Sequence, residues 1–165
     1  MAPAEVERTA QWSVLDRLID TEPDVATDPL RTWAQSVREL RRAVRRDLEW
    51  LLNTRRIIEP APAEMTEVTH SLYHFGLPDV TSLGAESGDA HDWLRRRVEE
   101  TISLFEPRLA NVRATIATPE EGGRREVRFV IEAILRVEPD PEQVVFDTVL
   151  EVASSTFAVK GGADA

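Results

Sequence analysis

The sequence predicts an α+β fold of two layers, in which a small antiparallel β-meander in the C-terminal half packs against N-terminal and central helices. Apolar residues before Pro107 recur at steps of three or four, which is the spacing of amphipathic helices. After Pro107 apolar residues alternate with polar ones, as in strands that bury one face. Helices followed by strands favour a layer of helices on one face of a sheet.

Two helices are predicted in the N-terminal part of the chain. The first lies between Gln11 and Asp20 and ends before Pro23. Its apolar side chains at helical spacing are Val14, Leu15, Leu18 and Ile19. The second begins at Asp28, a good N-cap that is followed by Pro29 at the first helical position. Its apolar stripe is Trp33, Val37, Leu40, Val44, Leu48 and Leu51.

The opposite face of the second helix carries a basic stripe. Its members are Arg38, Arg42, Arg45 and Arg46. The stripe either docks an acidic partner or is a solvated face paired with Glu39, Asp47 and Glu49, and solvated faces are the commoner case. Trp50 lies off the apolar stripe and is either an interface aromatic or a flank of the core. The candidate secondary interface is therefore Arg42, Arg45, Arg46 and Trp50.

A third main helix is predicted after a proline-rich linker, a brief helix at residues 64–72 and a loop at residues 81–89. Asp89, with Asp92 three residues later, is typical of a helix start. The buried stripe of this helix is predicted to be Leu94, Val98, Ile102 and Phe105. Pro107 then ends the helix.

Three stretches after Pro107 predict strands that form two hairpins in series. They are Leu109–Ala117, Val127–Val137 and Val144–Val152. The residues that share the core face are Val127, Phe129, Ile131, Ala133 and Leu135 in the middle strand, and Val144, Phe146, Thr148 and Leu150 in the last. We expect this face to receive the helices. Nothing in the sequence covers the outer strands, and uncovered edges invite added strands.

Length, charge and composition restrict the class of protein. The 165 residues suit a single domain, expected over residues 10–159 between a flexible arm at residues 1–9 and a disordered tail at residues 160–165. The formal net charge of -10 opposes binding to nucleic acid phosphates. The chain has no cysteine, no recognisable signal peptide and no run of apolar residues that could cross a bilayer. We therefore expect a cytoplasmic protein without membrane insertion.

Patterns typical of catalytic and metal sites are scarce. His70 and His74 would share a helix face at the spacing of some zinc sites, but no third ligand is placed, and surface histidines are the commoner explanation. The sequence has no glycine-rich phosphate loop and no Gly-x-Ser-x-Gly elbow. We therefore expect no metal and no cofactor. A glycosidase pair such as Glu106 with Asp79 or Glu100 stays open, because acidic residues are numerous.

The segment SLFEPRL at residues 103–109 places an acid, a proline and a base in a row directly after the third helix. Pro107 pushes Glu106 into an extended conformation and is expected to expose the corner between helix and strand, with Arg108 projecting from it. The two charged side chains can brace the turn by pairing with each other, or offer a fork and an acceptor to a partner protein. From the residues alone both alternatives stay open, and catalysis is the weaker third.

Five stretches together resemble the TssE family of type VI secretion baseplate subunits. They are SVLDRLID at 13–20, VRRDLEWLLNTRR at 44–56, YHFGLPDV at 73–80, FEPRL at 105–109 and FDTVLEV at 146–152. Their order and spacing match along almost the whole chain. The same family includes a wedge component of contractile phage baseplates, which carries an old label of acidic lysozyme.

The resemblance implies a structural role. Glu106, Pro107 and Arg108 would seat the protein on the wedge subunits TssF and TssG, with TssK in the same assembly. The sheath subunits TssB and TssC would add strands to an edge of its sheet. The old label implies instead a peptidoglycan-cleaving hydrolase with Glu106 as general acid, an alternative that would need export, for which the sequence shows no route.

Overall fold

The fold is described from a computed structural model of the chain. The description covers residues 10, 12–19, 23–24, 32–59, 61–62, 64–79, 88–117, 126–151 and 154–161. The predicted arm at residues 1–9, residues 28–29 and most of the predicted loop, residues 81–87, lie outside the described residues. The second helix begins at Trp33 after the extended N-cap Thr32, which corrects the predicted start at Asp28.

The sheet is an antiparallel meander whose strands neighbour one another in chain order. Its strands are β1 (Leu109–Ala117), β2 (Glu126–Leu135), β3 (Glu142–Glu151) and β4 (Thr156–Gly161). The first three confirm the predicted strands. The sequence prediction misses β4, because Phe157 and Val159 alone are too short an alternation to indicate a strand. β4 extends to Gly161, which lies inside the segment expected to be a disordered tail.

One face of the sheet is buried, as the alternation predicts. All nine core-facing residues predicted for β2 and β3 are buried: Val127, Phe129, Ile131, Ala133, Leu135, Val144, Phe146, Thr148 and Leu150. The register places Phe129 opposite Thr148 and Ile131 opposite Phe146, so the two strands present one continuous core surface. β4 adds the buried side chains of Phe157 and Val159.

Two helices, α2 (Trp33–Asn53) and α3 (Gly88–Phe105), pack on the sheet, α2 against β4 and α3 against β1. A capping box starts α2, in which the Thr32 hydroxyl accepts from the Gln35 amide and the Gln35 side chain accepts from the Thr32 amide. Asp89 lies in the first turn of α3 and is not its cap, so the helix begins two positions earlier than predicted. The predicted stripes are buried at Val37, Leu40, Val44, Leu48, Leu51, Leu94, Val98 and Ile102.

The first helix, α1 (Val14–Leu18), is shorter than predicted, and its apolar residues do not face the core. The exposed side chains are Val14, Leu15, Leu18 and, directly after the helix, Ile19. The buried residue of α1 is Asp16, which is 6% exposed. The Asp16 carboxylate pairs with Arg46 and Arg108. This pairing, and not apolar packing, sets which side of the helix faces inward.

A glycine fixes the crossing between α2 and α3. The Leu77 amide donates to the Thr54 carbonyl over 2.9 Å, next to an isolated parallel bridge between Arg55 and Leu77. Gly76 has a φ of 100°, and a Cβ at this position would lie 2.2 Å from the Thr54 oxygen. Only glycine allows the chain to approach the end of α2 so closely.

The brief helix predicted at residues 64–72 is present as two 3-10 segments, Thr66–His70 and Leu72–His74. Ser71 separates them, and its hydroxyl accepts from the Tyr73 amide over 3.2 Å. His70 and His74 therefore do not share one face of an α-helix. In the part of the chain that the structure describes, no group of three or more histidine and acidic side chains could hold a metal ion.

These elements confirm the predicted α+β architecture of two layers, with helices packed on one face of an antiparallel sheet. None of the described helices combines the length and the apolar character needed to cross a membrane. The corner between α3 and β1 connects the two layers, and its geometry defines the candidate site.

Candidate functional site

The candidate site is the corner formed by residues 106–108. The preceding helix ends where Pro107 predicts, because proline has no amide hydrogen to continue the helical ladder. Main-chain hydrogen bonds then fix the turn: the Glu106 amide donates to the Ile102 carbonyl over 2.8 Å, and the Leu109 amide donates to the Glu106 carbonyl over 3.1 Å. The strand thus begins in a fixed orientation relative to the helix.

Glu106 and Arg108 pair with each other across Pro107. Arg108 donates from Nε to Glu106 Oε1 over 2.7 Å and from Nη2 to Glu106 Oε2, which makes a fork of two charge-assisted hydrogen bonds. Glu106 is 4% exposed, so the expected exposure of the corner is wrong for this carboxylate, while Pro107 is exposed. The fork turns the carboxylate inward and braces the turn.

Two further carboxylates, from α1 and α2, complete the corner network, which consists of Asp16, Arg46, Asp47, Glu106 and Arg108. Asp47 accepts from Arg108 Nη2 over 2.6 Å and from Arg46 Nη2 over 2.7 Å. Asp16 accepts from Arg46 Nη2 over 2.7 Å and lies 3.8 Å from Arg108 Nη1. Three carboxylates and two guanidinium groups therefore meet at the junction of α1, α2 and the corner.

The surroundings stabilise the charged forms of Asp16 and Arg108. Burial alone would raise the pKa of Asp16, but hydrogen bonds from Ser13 and Arg46 and the positive charges of Arg46 and Arg108 hold this pKa below its usual value near 3.8. Burial alone would lower the pKa of Arg108, but the hydrogen bond and the charge of Glu106 raise it. Both side chains are therefore ionised at neutral pH.

Arg46 links the candidate secondary interface to the corner network. Its guanidinium carbon lies 5.0 Å from the ring centroid of Trp50, which is 53% exposed. Arg42 is exposed and Arg45 half-buried, and neither belongs to the network. The structure thus brings Arg46 and Trp50 together beside the corner, and it pairs Arg46 with Asp47 as the solvated-face alternative predicts.

The edge of the sheet at β4 is capped at Phe157 by Asn53, the last residue of α2. Asn53 Nδ2 donates to the Phe157 carbonyl over 2.9 Å, and the Phe157 amide donates to Asn53 Oδ1 over 2.8 Å. The side-chain amide thereby takes the place of a neighbouring strand at this position. Because alternate residues of a strand turn their main-chain groups to the same side, Val159 and Gly161 carry the next outward groups of β4.

The opposite edge, at β1, is capped at one amide. The Ala114 amide donates to Glu99 Oε1 over 2.8 Å, and Arg95 holds the same carboxylate. By the same alternation, Ile116 carries the next outward amide and carbonyl. An open cleft of about 440 Å³ lies along this edge, lined by α3 side chains between His91 and Glu99 and by β1 between Arg113 and Ile116.

Sequence reasoning missed Asn53, Glu99 and Asp16, and it missed the contact of Asp47 with Arg108, although it expected Asp47 to pair with the basic stripe. Asn53 and Glu99 cap the two outer strands, which corrects the expectation that nothing covers them. Asp16 and Asp47 hold the corner arginine and its neighbour Arg46. A polar contact between distant parts of the chain leaves no periodic signal, although the run DLEWLLNTR, which carries the family resemblance, contains both Asp47 and Asn53.

The arrangement offers fixed charges rather than a reactive group. Both oxygens of Glu106 accept from Arg108, and the side chain is buried, so a substrate has no access to this carboxylate. Charges that are held in place and partly desolvated are suited to recognising complementary charges on another protein.

A family model described as baseplate wedge protein gp25 matches residues 38–140 of the chain. The matched region contains Arg46, Asp47, Glu106 and Arg108 of the corner network, whereas Asp16 precedes it. A comparison with curated proteins finds no match.

Proposed function

The chain belongs to the baseplate wedge protein gp25 family, and on this premise we propose that it is a noncatalytic baseplate subunit of a type VI secretion system. The observation that carries the proposal is the corner network, which fixes two guanidinium groups and three carboxylates at one junction of the fold. In this role the protein works in the cytoplasm, in a baseplate that assembles at the inner membrane.

The corner at residues 106–108 is the proposed contact with the wedge subunits TssF and TssG, in an assembly that also contains TssK. Pro107 is exposed at the turn, and the side chain of Arg108 remains 19% exposed. Glu106 and Asp47 hold Arg108 in one geometry, so that little side-chain entropy is lost when a partner binds. The corner is thus a preformed docking element.

Trp50 and Arg46 extend the proposed docking surface. An exposed indole beside a guanidinium combines two of the residue types that contribute most to protein interfaces. Arg42 and Arg45 add positive charge on the same helix. Positive charge on a chain with a net charge of -10 favours an acidic surface on the partner.

The sheet is proposed to receive an extended segment of the sheath subunits TssB and TssC at β1. Asn53 satisfies both main-chain groups of Phe157 on β4, whereas on β1 Glu99 satisfies the amide of Ala114, and Ile116 beyond it lines an open cleft. A strand added at β1 gains main-chain hydrogen bonds whatever its side chains are, and the cleft accommodates those side chains. We therefore assign the added strand to β1.

The hydrolase alternative has little support from the geometry. A general acid must reach the leaving group of its substrate, and Glu106 is buried under Arg108. Glu100, its candidate catalytic partner, is held by Arg97 over 2.7 Å. We expect the purified chain to release no soluble fragments from peptidoglycan, and release that Glu106→Gln abolishes would contradict the noncatalytic role.

Copurification with coexpressed TssF and TssG tests the docking role. Glu106→Ala plus Arg108→Ala removes both charges of the fork together, so neither is left buried without the other. The matched control is Arg97→Ala plus Glu100→Ala, which removes an exposed pair of the same residue types from α3. We expect the corner variant to be lost from the complex and the control to be retained, with folding verified by circular dichroism. Retention of the folded corner variant contradicts the docking role.

Proline substitutions at the two outer strands test the strand assignment. Ile116→Pro removes an outward amide that the sheet itself does not use, and Ile116→Ala is its control because it keeps the amide. Val159→Pro makes the equivalent change in β4. We expect recruitment of TssB and TssC to be lost with Ile116→Pro alone, each variant being checked for folding by circular dichroism. Loss with Val159→Pro alone would place the added strand at β4 instead.

A further inference from the structure

Residues Ser13–Ile19, which contain α1, lie over the arginines of the corner network, and we call this segment the cover. Its apolar side chains are not buried: Val14 is 73% and Leu18 is 77% exposed, and Leu15 and Ile19 are each 47% exposed. The helix itself has five residues, too few to be stable without outside contacts. The buried side chain of the helix is the carboxylate of Asp16.

The attachment of the cover consists of a few polar contacts. Asp16 Oδ1 accepts from Arg46 Nη2 over 2.7 Å, and Asp16 Oδ2 accepts from the Ser13 hydroxyl over 2.5 Å. The ion pair between Asp16 Oδ2 and Arg108 Nη1 is longer, at 3.8 Å. Among the polar contacts described for residues 13–19, the hydrogen bond of normal length to the rest of the fold is the charge-assisted one from Arg46 to Asp16.

Arg108 has a donor that the cover does not satisfy. Its Nη1 atom is buried and makes no hydrogen bond within the part of the chain that is described, because Asp16 lies too far away for one. A buried donor without an acceptor costs free energy. A carboxylate placed closer to Arg108 could accept hydrogen bonds from both guanidinium groups. Asp16 accepts one from Arg46 and none from Arg108.

We propose that Arg46 and Arg108 form the binding site for a carboxylate of the wedge partner, and that Asp16 occupies this site in the free chain. The inference rests on the docking role proposed above and specifies the chemistry of the partner group. The present occupant shows which group the position takes, and the unsatisfied donor of Arg108 shows how a second carboxylate can bind better. Binding then displaces the cover.

This competition lowers the apparent affinity of the free chain for its partner. When a binding site is open in only a fraction of the molecules, the apparent affinity equals the affinity of the open site multiplied by that fraction. Weakening the hold of Asp16 raises the open fraction. Asp16→Asn, which keeps the shape of the side chain and removes its charge, should therefore tighten binding instead of weakening it.

Hydrogen exchange of the free chain tests whether the charge of Asp16 holds the cover. The Arg17 and Ile19 amides donate to the Ser13 and Leu15 carbonyls inside the cover and report its opening. We expect both amides to exchange about tenfold faster in Asp16→Asn, because the substitution weakens one hydrogen bond to a charged group. The exchange rates of core amides should not change. Equal rates in wild type and variant overturn the proposal.

The matched control for Asp16→Asn is Asp24→Asn. Asp24 is exposed, so its substitution removes a carboxylate of the same type without touching the corner network. Exchange at the Arg17 and Ile19 amides should match the wild type in this control. Equal acceleration in both variants would mean that net charge, and not the contact of Asp16 with the arginines, controls the cover, and would also overturn the proposal.

Binding to the purified complex of TssF and TssG tests the displacement. We expect Asp16→Asn to bind up to about tenfold tighter than wild type and Asp24→Asn to bind equally. In the bound wild type, the Arg17 and Ile19 amides should exchange faster than in the free chain. Weaker or equal binding of Asp16→Asn, or added protection of these amides, overturns the proposal.

These results separate the two proposals. If wild-type chain fails to bind TssF and TssG, the docking role is wrong, and the inference about the partner carboxylate is wrong with it. If wild type binds and the corner variant does not, the docking role stands. The exchange rates and the affinity of Asp16→Asn then decide the inference alone.

Discussion

Removing the carboxylate of Glu106 should destabilise the fold, and the structure allows the size of the effect to be estimated. In Glu106→Ala the fork to Arg108 is lost, so two charge-assisted hydrogen bonds disappear. Breaking a buried ion pair by removing one partner costs about 3–5 kcal/mol. Asp47 still holds Nη2 of Arg108, whose side chain is 19% exposed, so we expect the lower end of this range.

The free energy of unfolding of Glu106→Ala should thus fall by about 3 kcal/mol, measured by urea unfolding at pH 7. Glu100→Ala is the control, because the exposed ion pair that it breaks, between Glu100 and Arg97 on α3, contributes about 0–1 kcal/mol. The double variant Glu106→Ala plus Arg108→Ala should lose less than the sum of the single changes, since no charge is left alone. A Glu106→Ala protein within about 0.5 kcal/mol of wild type would refute the bracing role.

Three further changes test the core, the edge at β4 and the charge of the cover. Thr148→Val should raise the free energy of unfolding by about 1 kcal/mol, because the buried hydroxyl has no hydrogen-bond partner among the described residues; a loss of stability would contradict this. Asn53→Ala should lower the free energy of unfolding by about 1–2 kcal/mol and speed hydrogen exchange of the Phe157 amide. Unchanged exchange would argue against the hydrogen bond between Asn53 and this amide. The pKa of Asp16 is lower in the folded than in the unfolded chain, so the stability that it contributes is complete above about pH 5 and is lost as the pH falls through the folded-state pKa. The difference in unfolding free energy between wild type and Asp16→Asn should shrink accordingly, and a difference that stays constant to about pH 2 would contradict the ion pair.

Periodicity predicts the parts of this fold that bury apolar faces. α2, α3, β2 and β3 have the expected faces inward, because each carries several apolar residues at one period. α1 shows the limit of this argument. Its apolar residues have helical spacing but are exposed, because the buried Asp16 and its arginine partners decide the orientation of the helix.

The candidate site was predictable only in part, for a related reason. Glu106 and Arg108 stand two positions apart, so their pairing is one of the two alternatives that the local sequence offers. Asp47 contacts Arg108 across 61 positions, and Asp16 contacts Arg46 across 30. Contacts of this kind depend on how the helices are placed, which the local pattern does not contain, and they turn the expected exposed corner into a braced one.

Site-specific photocrosslinking tests most directly whether the corner docks on the wedge. A photoreactive amino acid at Leu104, an exposed position two residues before Glu106, samples the surroundings of the corner, and Val145 on the exposed face of β3 is the control position. In cells that coexpress TssF and TssG, we expect covalent adducts with these subunits from position 104 and none from position 145. No adduct at position 104, or equal adducts at both, would contradict the account.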